Sequence, residues 1–184
     1  MREDTKITKV YRFKELSEEA QEKVMEKLYD INVDYDWWEN VYEDAATIGV
    51  KIKEFDLDRG AYCKGQFTES ELDAANAILE NHGKDCETYK DAYEFVWDLA
   101  ATENDYYGQQ REESAKEGTD FVLDYDDFDA DYECPELLED FRQAIFEDYR
   151  IMLQHGYDYL TSEEAVRETI DANGYEFTED GKLY

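Results

Sequence analysis

The sequence predicts an α+β fold, mainly helical, with a small antiparallel sheet built from hairpins. Two patterns and one piece of composition lead there. Apolar residues recur at three- and four-residue spacing in segments spread along the chain, the period of helices with one buried face. Shorter stretches alternate apolar and polar residues, the period of half-buried strands. One Pro and nine Gly in 184 residues argue against a long flexible linker. A single compact acidic domain over residues 1–184 is therefore expected, with a candidate mobile segment near 105–118.

The elements follow in order. Ile7, Lys9, Tyr11 and Phe13 alternate with Thr8, Val10 and Arg12 and predict a strand. Ser17 is a natural N-cap for a helix whose stripe is Leu16, Ala20, Val24, Leu28 and Ile31. A second helix is predicted from about Tyr35 to Ile48, with Trp37, Trp38, Val41, Tyr42 and Ala45 facing inward and Gly49 at the left-handed C′ position. Val50 to Phe55 and Ala61 to Phe67 flank Asp58-Arg59-Gly60 as a hairpin, and the slip of apolar phase between Ile52 and Phe55 predicts a bulge.

Thr68 and Glu71 predict a capping box for a helix ending at Gly83. A further helix is expected from Thr88 to about Ala101, and the polar run Gln109 to Gly118 reads as a mobile connection or an exposed helix. Pro135 at a first helical position opens a long helix ending near Gly156. Thr161 and Glu164 predict a second capping box, Asn173-Gly174 a stop, and Asp180-Gly181 the turn of a terminal hairpin.

Fifty Asp plus Glu face 19 Lys plus Arg, a formal charge of -31. This excludes direct nucleic-acid binding through a basic surface. With 42% hydrophobic and 15% aromatic residues the chain nevertheless reads as folded. The charge is regional: Asp91 to Asp140 holds 18 acids against Arg111 and Lys116, and Thr119 to Asp140 holds ten acids and no base. Such crowding works against compactness by self-repulsion, so a compensating role is sought in solubility, a cation or a basic partner. No apolar stretch approaches a membrane span, and MREDTKITK has neither a signal core nor a cleavage site. The expected location is the cytoplasm, with reduced thiols at Cys63, Cys86 and Cys134.

Enzyme chemistry finds little to stand on. His82 and His155 suit helix C-termini, no Gly-x-Ser-x-Gly elbow occurs, and neither phosphate-binding glycine motif is present. Cys63, His82, Cys86 and Cys134 are the residues zinc would draw on, yet His82-x3-Cys86 is their one close pair. Asp127, Asp129 and Asp131 match the first positions of a calcium loop, but Tyr132 and Leu138 stand where Gly and Glu are needed. Asp56-Leu57-Asp58 reads as turn chemistry. No catalytic residue, cofactor or metal is expected.

Within the acidic run, Phe121, Tyr125, Phe128 and Tyr132 fall on one helical face, while Asp120, Asp124, Asp126, Asp127, Asp129 and Asp131 cover the rest. Asp is a mediocre helix former and its neighbours repel, so an extended conformation is the alternative. In either case the carboxylates project. Duplex DNA carries one charge per roughly 1.7 Å, so about 30 net charges correspond to about 15 base pairs.

Tyr11-Arg12-Phe13-Lys14-Glu15-Leu16-Ser17-Glu18-Glu19-Ala20, Asp34-Tyr35-Asp36-Trp37-Trp38-Glu39 and Phe55-Asp56-Leu57-Asp58-Arg59-Gly60 resemble a family of small acidic phage and prophage proteins. Some of its members carry antitoxin-like labels, and the ending Ala172 to Gly181 is similar to endings common in phage genes. The likeness covers about the first 100 residues and the last 20, on cap and turn signals. Taken with the charge, the chain resembles phage anti-defence proteins, the acidic DNA mimics that inhibit restriction enzymes and the acidic inhibitors of CRISPR effectors. That resemblance implies a non-enzymatic inhibitor binding the nucleic-acid surface of a bacterial defence protein. The expected face is Asp120, Asp124, Asp126, Asp127, Asp129, Asp131 and Glu133, with Tyr125 and Phe128 as anchors. The alternatives are an antitoxin-like protein neutralising a basic partner, and a cation-binding acidic protein. The oligomeric state is left open.

Overall fold

The computed structural model describes residues 8–102, 113–117 and 134–184. These gather into two compact units, Met1–Trp37 with His155–Tyr184, and Trp38–Gln154. The architecture is mainly helical α+β, with two separate two-stranded antiparallel sheets among the described residues.

In the first unit, β1 (Tyr11–Arg12) leads through one 3-10 turn (Phe13–Glu15) to α1 (Glu18–Leu28). The predicted seven-residue strand is thus cut to two, because its partner β4 (Glu176–Phe177) offers only two residues before the chain turns back. Ser17 caps α1 as predicted, its hydroxyl accepting from the Ala20 N–H. The chain returns at the end of the long helix α5 (Pro135–Leu160), followed by α6 (Glu163–Asn173). Leu16, Ala20 and Val24 meet Val166 and Ile170, with Phe13 and Phe177 closing the core edge to face at 6.5 Å. The predicted terminal hairpin forms: Gly181 is left-handed at φ 79° and the Tyr184 N–H reaches the Glu176 carbonyl. A Cβ at Gly181 would lie 2.7 Å from the Ala20 carbonyl, so this turn sits directly on α1.

The second unit begins with α2 (Glu39–Thr47), β2 (Val50–Asp56) and β3 (Tyr62–Phe67). Its first helix starts four residues later than predicted, because the Trp37 N–H turns back to the Tyr35 carbonyl at 2.7 Å and breaks the helical ladder. Gly49 is left-handed as predicted. The β2–β3 ladder runs from Val50 opposite Phe67 to Asp56 opposite Tyr62 and shifts between Ile52 and Glu54, the predicted bulge. Asp56 accepts from the Asp58 N–H at 2.7 Å, which makes the Asp-Leu-Asp run a turn.

α3 (Glu71–Asn81) and α4 (Glu87–Thr102) pack against each other. The hairpin meets α5 through Phe67, whose ring lies 5.9 Å from both Phe141 and Phe146, while Phe95 of α4 stacks on Phe141 at 4.3 Å. Within the polar run Gln109 to Gly118, residues 113–117 are helical and the rest lies outside the described residues.

Three further helix boundaries differ from expectation. Ser70, not Thr68, caps α3 by accepting from the Asp73 N–H, while Thr68 donates to the Gly49 carbonyl. Ser162, not Thr161, caps α6, and the Thr161 hydroxyl donates back to Tyr157. α5 runs through Gly156 to Leu160, and the glycine there leaves room for the Trp37 ring, which would lie 3.3 Å from a Cβ. His155 is accordingly an exposed residue inside the helix rather than at its end.

Candidate functional site

Asp120, Asp124, Tyr125, Asp126, Asp127, Phe128, Asp129, Asp131 and Glu133 lie outside the described residues, as does the calcium-like run. What the structure does place are the two ends of the same acidic stretch. Asp91, Glu94, Phe95 and Asp98 on α4 and Leu137, Asp140, Phe141 and Ala144 on α5 line one cleft of about 200 Å³. Seven residues separate Asp91 from Asp98, two helical turns, so the three α4 acids share a face. The floor is aromatic and the walls are carboxylates, with no base among the described lining residues. The cations nearest in sequence are engaged elsewhere: Arg142 with Glu71 at 2.6 Å, Arg150 with Glu147 at 2.7 Å, Lys90 with Glu87 at 2.6 Å.

Asp91 connects this cleft to a buried acid. Asp148 is 8% exposed, in line with Phe141 and Ile145 on the apolar face of α5, and is hydrogen-bonded to Asp91. Removal from water raises its pKa to about 7, and the charges of Asp91 and Glu87 push the same way. Burial likewise raises Asp91, although the bond from Asp148 favours its charged form. Burial and the neighbouring like charge thus act in the same direction on Asp148, and the hydrogen bond couples its titration to that of Asp91.

A second polar group sits where α2, α3 and α4 meet. His82, the C-cap of α3, shares a 2.8 Å hydrogen bond between Nδ1 and the Thr88 hydroxyl, and its Nε2 lies 3.8 Å from Asp44. The Tyr149 hydroxyl donates to the other Asp44 oxygen at 3.0 Å, and Cys86 Sγ lies 3.3 Å from Thr88. Acid, imidazole and hydroxyl thus stand in the order of a catalytic triad, but Thr88 is 0% exposed and no substrate atom can reach it. The chain ties the α3–α4 turn to α2 and α5. Burial raises the Tyr149 phenol and lifts the Cys63 thiol to about 11, so that thiol is an inert core group. Among the described residues no three His, Cys, Asp or Glu side chains converge as a metal site would need.

Sequence reasoning missed the cleft, the Asp148–Asp91 pair and the Asp44–His82–Thr88 chain. One signal was available for the pair: Asp148 interrupts an otherwise apolar stripe, where a charge is costly unless partnered. No helix of the described residues is long and apolar enough to cross a membrane. Protein-family models, curated proteins and solved structures contain no match to this chain. The segments that carry the phage-family resemblance form β1 with the cap of α1, the turn before α2 and the β2–β3 turn.

Proposed function

We propose that the protein is a non-enzymatic inhibitor that binds the nucleic-acid surface of a bacterial defence protein, a restriction enzyme or CRISPR effector, by presenting carboxylates where phosphates would lie. The single observation that carries this reading is the uncompensated acid of residues 91–140, whose described ends line a cleft walled by Asp91, Glu94, Asp98 and Asp140. Carboxylates fixed around a cleft suit a basic groove, since their charge steers the encounter. The acids from Asp120 to Glu133 continue the same charge in sequence between the two walls, and on this reading they meet the partner with Tyr125 and Phe128 as anchors. Association of this kind is fast and weakens steeply with salt.

The test is capture of partners by the tagged protein from a bacterial lysate at low and high salt, with and without competing duplex DNA. The variant with Asp124, Asp126, Asp127 and Asp129 all changed to Asn runs in parallel. A nuclease or effector released by DNA and lost with the fourfold variant is the expected result. A folded variant that captures the same protein as well as the wild type removes this face from the account. A single small basic protein held through high salt would replace the reading with the antitoxin-like one.

A further inference from the structure

The first unit carries a groove of its own. α1 and α6 enclose about 590 Å³, walled by Glu18, Glu22 and Glu26 on one side and Glu163 with Arg167 on the other. Met25, Tyr29 and Val166 supply its apolar surface. Val166 is fully buried at the bottom, whereas Tyr29 is 51% exposed at one end, a large ring left in water.

Three features define what fits. The first is length: the lining of α1 runs from Glu18 to Tyr29, about 16 Å at 1.5 Å per residue, the span of three helical turns. The second is charge spacing. Glu18, Glu22 and Glu26 follow one another at four-residue intervals, about 6 Å apart along α1, and a helix laid alongside presents its own side chains at that interval. The third is the state of those acids. Among the described residues none of the three is in an ion pair, whereas their neighbour Glu19, turned away from the groove, holds Lys23 at 2.7 Å. Arg167 offsets only Glu163, at 3.5 Å.

We infer that this groove is a docking site for a basic amphipathic helix of a partner protein. Lys or Arg residues at i, i+4 and i+8 would meet Glu18, Glu22 and Glu26, and an apolar stripe would cover Met25 and Tyr29. The recognition mode is helix in groove, with apolar anchors giving affinity and the charge row fixing register. This groove shares no lining residue with the α4–α5 cleft, and the inference does not depend on the function proposed for that cleft.

The experiment uses the full chain and two synthetic peptides of identical composition, about three to four turns long. One places Lys at i, i+4 and i+8 with Leu on the adjoining face, and the other scrambles that order. Binding is followed by calorimetry and by the methyl resonance of Met25, with Met152 of the second unit as internal reference. The expected result is binding of the patterned peptide with a shift confined to Met25, and roughly fivefold weaker binding by Glu22→Gln/Glu26→Gln at low salt. The control Glu39→Gln/Glu43→Gln removes the same charge from α2 and should bind as the wild type does. Equal binding of both peptides, equal losses in the two double variants, or an unmoved Met25 methyl would each overturn the inference. These substitutions replace exposed side chains, and circular dichroism verifies that both variants fold.

Discussion

Replacing Asp148 by Asn isolates the energetic consequence of the buried carboxyl pair. Asp148 has an ordinary value of 3.8 when exposed and about 7 in the fold. Its native pKa is therefore raised, and between those two values the folded protein binds more protons than the unfolded chain. Linkage makes stability fall as pH rises through that window and level off above it. At 1.36 kcal/mol per pKa unit, the part of the window between pH 5 and pH 7 corresponds to about 2–3 kcal/mol. Asn keeps the shape, and its amide can donate to Asp91 as the protonated acid does, but it never acquires a charge. The variant should match the wild type closely near pH 5 and exceed it by about 2–3 kcal/mol at pH 8. Urea unfolding followed by the fluorescence of the three tryptophans, at steps from pH 5 to pH 8, measures this and stays above the pI near 4.1. The acids elsewhere contribute equally to both proteins, so the difference between the two profiles belongs to the Asp148–Asp91 pair. Parallel profiles would refute the reasoning, since they would mean that Asp148 is already ionised, and tolerated, at pH 5.

Three further outcomes are expected. Gly65→Ala should destabilise the second unit by about 3 kcal/mol or more, read as a lower urea midpoint, because a Cβ would sit 2.2 Å from the Lys51 carbonyl and 2.9 Å from Phe146. Tyr149→Phe keeps the packing volume but withdraws the donor to Asp44, and should cost about 1 kcal/mol because water can reach that half-exposed carboxylate. In Asp180 the salt bridge to Lys182 and the bond from Thr178 lower the carboxyl to about 2. A lowered pKa stabilises above the ordinary range and loses that effect as pH falls, so Asp180→Asn should lower Tm at pH 7. That gap should close in thermal melts stepped from pH 4 toward pH 2.

The parts of the fold legible in the sequence are those decided within a few residues. The bulge in β2 showed in the phase of Ile52 and Phe55, and Gly49, Gly174 and Gly181 all take the left-handed conformation their positions required. Where two local signals compete, the pattern alone does not decide between them. Thr161 with Glu164 satisfied the capping-box pattern, yet the neighbouring Ser162 caps α6 alone through the Ala165 N–H. Gly156 read as a stop because the ring that fills its space comes from Trp37, more than a hundred residues away in the chain. The cleft was illegible for the same reason: Asp91 and Asp140 bounded the acidic run in the sequence, but only packing of α4 on α5 sets them around one floor. Charge density named the region, and aromatic stacking of Phe95 on Phe141 gave it shape.

The pairing of β1 with β4 has a consequence for how the protein is made. Arg12 donates to the Gly174 carbonyl and lies 3.5 Å from Glu176, so the first unit is completed by groups 162 and more residues apart. The second unit, Trp38–Gln154, is continuous and lies wholly between those two halves. On the ribosome its residues all emerge before α6 and β4 do, and contacts of short sequence separation form fastest. β1 and α1 must therefore wait, with Phe13, Leu16 and Val24 uncovered, until α6 and β4 are synthesised.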